Sequence, residues 1–130
     1  MDRLFQTSNL LLSQTDTSFH RYAYQQINWE NRLIGLVGAR GVGKTTLVLQ
    51  YIKANLNPQK SLYVTTEDFY FAQHRLTHLA ETFVKAGGEY LVIDEIHKYP
   101  DWSRELKLIY DYHANLKVVF TGSSVLDIKK

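Results

Sequence analysis

One run of the chain has residue types and spacing suited to holding phosphate. The pattern GxxxxGK followed by Ser or Thr is matched by Gly38, Ala39, Arg40, Gly41, Val42, Gly43, Lys44 and Thr45. Glycines at these positions let the backbone come close to a ligand and point successive amide groups at phosphate oxygens. Lys44 then supplies a cation for the terminal phosphates, Thr45 a hydroxyl for the Mg²⁺ that bridges them, and Thr46 a further contact to the α-phosphate. The pattern therefore predicts a loop for a nucleoside triphosphate and Mg²⁺.

Two carboxylates follow a hydrophobic run further along the chain. The run at residues 90–93 leads directly into Asp94 and Glu95. Because parallel strands end at the same edge of a sheet, we expect Asp94 beside the bound metal. Glu95 is then placed to orient and deprotonate a water aimed at the γ-phosphate. Glu67 and Asp68 are competing water-activating groups, and they rank below Glu95.

Small hydroxyl residues end another apolar run, at Thr121, Ser123 and Ser124. A hydroxyl at this edge can bond the γ-phosphate or the attacking water, although Ser and Thr after a strand are more often turn or capping residues. Neither DxxG after the acidic strand nor NKxD later occurs in the chain, which argues against a GTPase. The absence of GxSxG leaves a hydrolase nucleophile elbow unsupported.

Elements that could position these residues follow from the hydrophobic pattern. Apolar runs alternate with stretches of helical period, which predicts an α/β domain with a parallel sheet. Strands are predicted at 33–37, 61–65, 89–94 and 117–121, and a helix at 43–55. A second helix is predicted over 72–84, and a third has Asp101 as its cap and one buried face formed by Trp102, Leu106, Ile109 and Tyr110. Residues 1–30 are interpreted as an N-terminal helical segment and 31–130 as the phosphate-loop core.

Composition narrows the classes of protein that remain. The chain has 130 residues, no cysteine and a formal net charge of +2, which fits one domain without disulfides or thiolate metal sites. Its apolar runs are far shorter than the roughly 20 residues that span a bilayer, and its N-terminus lacks the pattern of a signal peptide. We therefore expect a cytoplasmic protein without a membrane partner. The sequence contains no stripe of Lys and Arg, so it does not predict a polyanion-binding surface.

Taken together, the segments GARGVGKTT, YLVIDEIHKYPDW and LKVVFTGSS resemble the AAA-type ATPases. The resemblance is closest to the bacterial and archaeal group in which an N-terminal AAA domain precedes a poorly characterised C-terminal region, and it covers residues 33–124. It implies a three-layer P-loop NTPase fold, ATP and Mg²⁺ as ligands, Walker A from Gly38 to Thr46, and Walker B at Asp94 and Glu95. It also implies a sensor-1 residue, for which Ser123 is favoured over Thr121 because the usual asparagine is absent.

The resemblance also predicts what this chain lacks. The family has a strand order of 2-3-4-1-5, a small helical lid and an arginine finger, and the sequence offers no segment for the fifth strand or the lid. We therefore expect a truncated core from the N-terminal part of a longer protein, inactive in this form if the missing parts are required. Loss of the fifth strand is expected to expose the edge of the strand that precedes the phosphate loop.

Three functions are consistent with this pattern. The first is an ATPase whose cycle drives a conformational or assembly switch, with DNA or a protein as the partner and a homo-oligomer as one form. The second is a small-molecule phosphotransferase, which requires a lid carrying arginines that the isolated Arg75 and Arg104 do not suggest. The third is a nucleotide-binding interaction module without turnover.

Other polar and aromatic residues carry weaker indications. Arg40 lies within the loop, where it either reaches the nucleotide or a neighbouring subunit or projects into solvent, and solvent is favoured. His74 and His78 have a spacing that can hold a metal, but we expect an exposed helix face. Packing is favoured over stacking on adenine for Tyr22, Tyr24 and Trp29.

Overall fold

The computed structural model describes residues 2–15, 29–38 and 44–123, and at Val37, Gly38, Lys44 and Ser123 it describes the backbone alone. Four strands lie in this part of the chain: β1 (Leu33–Gly38), β2 (Ser61–Thr65), β3 (Tyr90–Asp94) and β4 (Lys117–Ser123). The helices are α1 (Asp2–Ser13), α2 (Lys44–Asn55), α3 (Tyr70–Gln73), α4 (Leu76–Lys85) and α5 (Trp102–Tyr112), with a 3-10 turn at Ile96–Lys98. Among these described helices, none has both the length and the apolar character needed to cross a membrane.

The strands form one parallel sheet in the order β1-β4-β3-β2. The α/β class and the parallel sheet are thereby confirmed, and the order is the one that the resemblance implied for these four strands. Among the described residues, the strand that pairs with β1 is β4.

Side chains alternate between two apolar layers, because successive residues of a strand face opposite sides of a sheet. One layer takes Leu62, Leu91 and Val118 together with buried residues of α4 and α5. The other takes Tyr63, Val92 and Val119 together with buried residues of α2. Both faces of the sheet are therefore covered by helices, as parallel sheets require.

Helix α1 lies along the outer edge of β2 and contacts both layers. Leu4 packs into the layer of α4 and α5, whereas Leu12 packs into the layer of α2. Between them, the hydroxyl oxygen of the fully buried Ser8 accepts a hydrogen bond from the backbone N–H of Tyr63 at 3.1 Å. Helix α1 thus bonds one backbone N–H of β2 and covers the edge of that strand, where another strand would otherwise be able to pair.

The prediction of a single helix over 72–84 is wrong. The chain is extended at His74 and Arg75, and these two residues separate α3 from α4. The cause is a carboxylate from α5. Glu105 is buried, and its Oε1 accepts a hydrogen bond from the backbone N–H of Thr77 at 3.0 Å, while its Oε2 binds the Arg75 guanidinium. The tyrosine hydroxyl of Tyr99 accepts the N–H of Leu76 at 3.0 Å. Two otherwise unpaired amides of a helix start are thereby satisfied.

Two predictions for α5 are also wrong. Tyr110 is 43% exposed and does not share the buried face of the helix. The guanidinium carbon of Arg32 lies 3.9 Å from the centre of its ring, a cation–π contact that no local pattern reveals. Asp101 occupies the position before the helix but has a left-handed backbone with φ of 61°, and its side chain makes no capping hydrogen bond.

Candidate functional site

The predicted site residues that the structure describes lie at the carboxyl edge of the sheet. Strand β1 ends at Gly38, helix α2 begins at Lys44, and Ser123 is paired with Gly38 in the backbone register. Thr46 is exposed in the first turn of α2. The predicted loop residues Ala39, Arg40, Gly41, Val42 and Gly43 lie outside the described residues, as do the side chains of Lys44 and Ser123.

Three hydroxyl groups surround the carboxylate of Asp94, which is only 6% exposed. Thr45 Oγ1 donates a hydrogen bond to Asp94 Oδ2 at 2.8 Å, and the tyrosine hydroxyl of Tyr63 donates to the same oxygen. Thr121 Oγ1 donates to Asp94 Oδ1. A buried charge of this kind is stable only when such donors replace water. The structure therefore brings together Asp94, Thr45 and Thr121, which the sequence predicted from separate patterns.

The donor set fits Mg²⁺. Hydroxyl and carboxylate oxygens are hard ligands of the type that this ion takes, and it commonly binds through one or two protein groups plus phosphate and water. Because the Thr45 hydroxyl donates its hydrogen to Asp94, the lone pairs of the hydroxyl oxygen are available to a cation. Among the described residues there is no group of three His, Asp or Glu side chains that would hold a metal without a nucleotide.

Tyr63 is the member of this cluster that sequence reasoning missed. Burial raises the pKa of its phenol far above the usual value, and the negative charge of Asp94 raises it further, so the group stays protonated and donates. A tyrosine inside an apolar strand is ordinarily interpreted as core. The position of Tyr63 in the sheet indicates its role. Tyr63 pairs with Val92, and Val92 lies on the same sheet face as Asp94, two residues further along the strand.

Glu95 adopts a left-handed backbone conformation with φ of 60° and ψ of 42°, which is costly for a residue with a side chain. Two threonines hold it there. Its N–H donates to Thr121 Oγ1 at 3.1 Å, and its carbonyl accepts from Thr66 Oγ1 at 2.5 Å. The Glu95 carboxylate is not among the hydrogen-bond partners described for the three hydroxyl groups around Asp94.

The Glu95 side chain lies instead beside two basic residues of the following turn. Its Oε2 is 3.5 Å from His97 Nε2 and 3.9 Å from Lys98 Nζ, and this oxygen is buried without a hydrogen bond among the described residues. This oxygen therefore faces two basic side chains, and a water reaches it only when the side chain moves toward solvent.

The competing carboxylates after β2 are engaged in ion pairs. Glu67 Oε2 lies 2.7 Å from Lys98 Nζ. Asp68 accepts two hydrogen bonds from the Arg3 guanidinium, at 2.6 and 3.1 Å, and this contact lowers the pKa of the Asp68 carboxyl. Neither carboxylate joins the cluster around Asp94.

The remaining predictions concern residues away from this cluster. His74 and His78 are exposed, with ring centroids 5.3 Å apart in a stacked arrangement. Trp29 is buried and stacks on Tyr51 with ring centroids 4.0 Å apart, which is a packing role. Tyr22 and Tyr24 lie outside the described residues.

Comparison with known proteins agrees with this geometry. A family model described as an AAA domain matches residues 30–130. Among solved structures, the chain is similar to one titled structure of C. elegans PCH-2, with a TM-score of 0.52 and 18% sequence identity. That match covers 93% of this chain and 39% of the other, so this chain spans well under half of the protein that it resembles. At this identity the likeness supports the fold. No curated protein matches the chain.

Proposed function

Since this chain belongs to the AAA domain family, we propose that it binds Mg-ATP at the carboxyl edge of its sheet and hydrolyses it. The observation that carries the proposal is the 2.8 Å hydrogen bond from Thr45 to Asp94, which joins the helix after the phosphate loop to the acidic end of β3. In this arrangement one hydroxyl and one carboxylate face the place where a phosphate-bound Mg²⁺ belongs.

Each residue at the edge has a distinct task in the proposed reaction. Thr45 and Asp94 hold the Mg²⁺, which when bound neutralises charge on the phosphates. Lys44 and the loop amides hold the β- and γ-phosphates. Glu95 accepts a hydrogen bond from the attacking water and takes its proton as the water oxygen bonds to the γ-phosphorus, while the bond from that phosphorus to the bridging oxygen breaks and releases ADP. Thr121 fixes the Asp94 carboxylate directly and the backbone of Glu95 through its N–H.

We assign the sensor role to Thr121, with Ser123 as the second candidate. Thr121 is 1% exposed and contacts both acidic residues, so a shift in either is transmitted to β4. The ATP cycle then drives a conformational or assembly change on a protein or DNA partner. Self-association is one form of that change, and the edge of β1 that no described strand pairs is one surface for it.

A matched pair of variants tests the proposed activity. Glu95→Gln should retain binding of a fluorescent ATP analogue with Mg²⁺ and lose phosphate release, because an amide cannot accept the proton of the water. Glu67→Gln, which alters a carboxylate paired with Lys98, should keep both nucleotide binding and phosphate release. Normal hydrolysis by Glu95→Gln, or loss of hydrolysis in Glu67→Gln alone, would remove Glu95 from its proposed role.

The second candidate is a nucleotide-binding module without turnover. The contacts of Glu95 Oε2 with His97 and Lys98 favour it, because two basic side chains occupy the surroundings that an attacking water would need. This candidate expects tight Mg-ATP binding and no phosphate release in either the wild type or Glu95→Gln. No observation favours a phosphotransferase, because Arg75 is bound to Glu105 beside α4.

A further inference from the structure

Tyr63 contributes a polar atom to the proposed metal site although it lies on a strand that carries no predicted site residue. We propose that Tyr63 is a positioning residue, which fixes the carboxylate of Asp94 in the orientation that receives Mg²⁺. The inference rests on the proposed function, and it adds a residue of β2 to a site otherwise built from the phosphate loop, β3 and β4.

The hydrogen bonds at Asp94 show why a third donor matters. Thr121 holds Oδ1, while Thr45 and Tyr63 share Oδ2. Thr45 is also the hydroxyl proposed to bind the metal, so its geometry must adjust when Mg²⁺ arrives. Tyr63 has no such second task, and it holds Oδ2 while the Thr45 contact changes. Outer partners of this kind set ligand orientation and are a large part of metal affinity.

Tyr63 is itself held at both ends, so it can impose an orientation rather than follow one. Its backbone N–H donates to Ser8 Oγ of α1 at 3.1 Å, and the residue is only 7% exposed within the layer of α2. Its hydroxyl donates to Asp94 at the end of the neighbouring strand β3. A locked side chain loses little conformational entropy when it positions a ligand.

The sequence offers a matched control in the same apolar layer. Tyr90 is 4% exposed, and its buried hydroxyl makes no hydrogen bond among the described residues. Replacing either tyrosine by phenylalanine removes one buried oxygen and keeps the ring. Only Tyr63→Phe removes a donor to Asp94, so a difference between the two variants reports on that contact.

The first measurement is a Mg²⁺ titration of the binding of a fluorescent ATP analogue. Tyr63→Phe should raise the Mg²⁺ concentration for half-maximal binding about tenfold, the lower end of the roughly 10- to 100-fold losses typical of such partners. Its affinity for the analogue in EDTA should be unchanged, and Tyr90→Phe should match the wild type in both conditions. A merely structural role for Tyr63 would move both affinities together.

The second measurement needs no ligand. In urea unfolding of the free protein, Tyr63→Phe should raise the unfolding constant about tenfold, the effect of one hydrogen bond to a charge, but less than about twofold in an Asp94→Ala background. Equal effects in both backgrounds would overturn the proposal.

The two proposals fail in different ways. A wild type that binds no Mg-nucleotide refutes the proposed function. A wild type that binds it, with a Mg²⁺ dependence unchanged in Tyr63→Phe, refutes only the positioning role.

Discussion

Replacing Thr121 with valine removes one hydroxyl from the centre of the site and keeps the shape of the side chain. That hydroxyl donates to Asp94 Oδ1 and accepts the backbone N–H of Glu95 at 3.1 Å. The variant therefore leaves a carboxylate oxygen with one donor fewer and a backbone amide without its acceptor. Both groups lie where little water reaches, since Asp94 is buried and Glu95 is half-buried.

The expected cost follows from these two losses. A hydrogen bond to a charged group contributes roughly 1.5–3 kcal/mol, and an unsatisfied buried amide costs about 1–3 kcal/mol. The added methyl group recovers up to about 0.8 kcal/mol. Because the site can relax in part, we expect a net loss of about 2–4 kcal/mol from a domain whose stability is of order 5–15 kcal/mol. The left-handed turn at Glu95 should also lose its constraint, so hydrolysis should fall more than nucleotide binding.

Urea unfolding followed by circular dichroism measures the loss of stability. An equal slope of free energy against urea concentration in the wild type and the variant shows that both unfold in the same transition. Thr121→Ser is the control, because it keeps the hydroxyl and loses only a methyl group, at a cost of about 1 kcal/mol. Phosphate release measures the second effect. A valine variant within about 0.5 kcal/mol of wild type, with normal turnover, would refute the reasoning.

The same assay separates Thr121 from Ser123. The sequence favoured Ser123 as the sensor, whereas the contacts with Asp94 and Glu95 belong to Thr121. We expect Ser123→Ala to reduce turnover less than Thr121→Val. Loss of turnover in Ser123→Ala, with Thr121→Val active, would return the role to Ser123.

Three further predictions concern stability away from the site. Glu105→Gln should lower the free energy of unfolding by about 1–3 kcal/mol, because it weakens a carboxylate bound by several donors, while leaving the affinity for an ATP analogue unchanged; a reduced affinity would contradict this. Gly88→Ala should cost about 1–3 kcal/mol by overpacking, because its new Cβ would lie 2.4 Å from the ring of Phe83; an unchanged melting temperature would contradict it. Arg3 lowers the pKa of Asp68, so this contact stabilises the fold above the ordinary pKa near 3.8 and is lost as pH falls through the lower folded value; the stability difference between wild type and Arg3→Met, followed by melting from pH 6 to pH 2.5, should shrink below about pH 4, and a constant difference would disprove it.

The strands could be predicted because their determinants are local, whereas the phosphate loop stays a prediction. A short apolar run between turn residues specifies a buried strand whatever its neighbours are. Walker-type residues are recognisable because the chemistry of phosphate restricts which residue types can occupy those positions. The strand order required the family resemblance, since four apolar runs alone allow several orders.

The features that sequence reasoning missed depend on distant partners. The division between α3 and α4 is made by Glu105, which lies 28 positions from the Thr77 amide that it caps. Tyr110 lies against Arg32, whose guanidinium also donates to the Tyr110 carbonyl 78 positions away. Tyr63 was missed for the same reason, because its role appears only once β2 lies beside β3.

The strand order has a consequence for how the chain acquires its ligand site during synthesis. Of the four described strands β1 comes first in chain order, but its strand neighbour among them is β4, the last of the four, with Leu33 paired to Val118. Helix α1, β2 and β3 all precede β4 in the chain, so they can pack together before β4 has been synthesised. Strand β1 has no strand to pair with at that stage. The phosphate loop follows β1, so nucleotide affinity should appear abruptly when β4 docks. Nucleotide binding would therefore report that the four described strands have assembled.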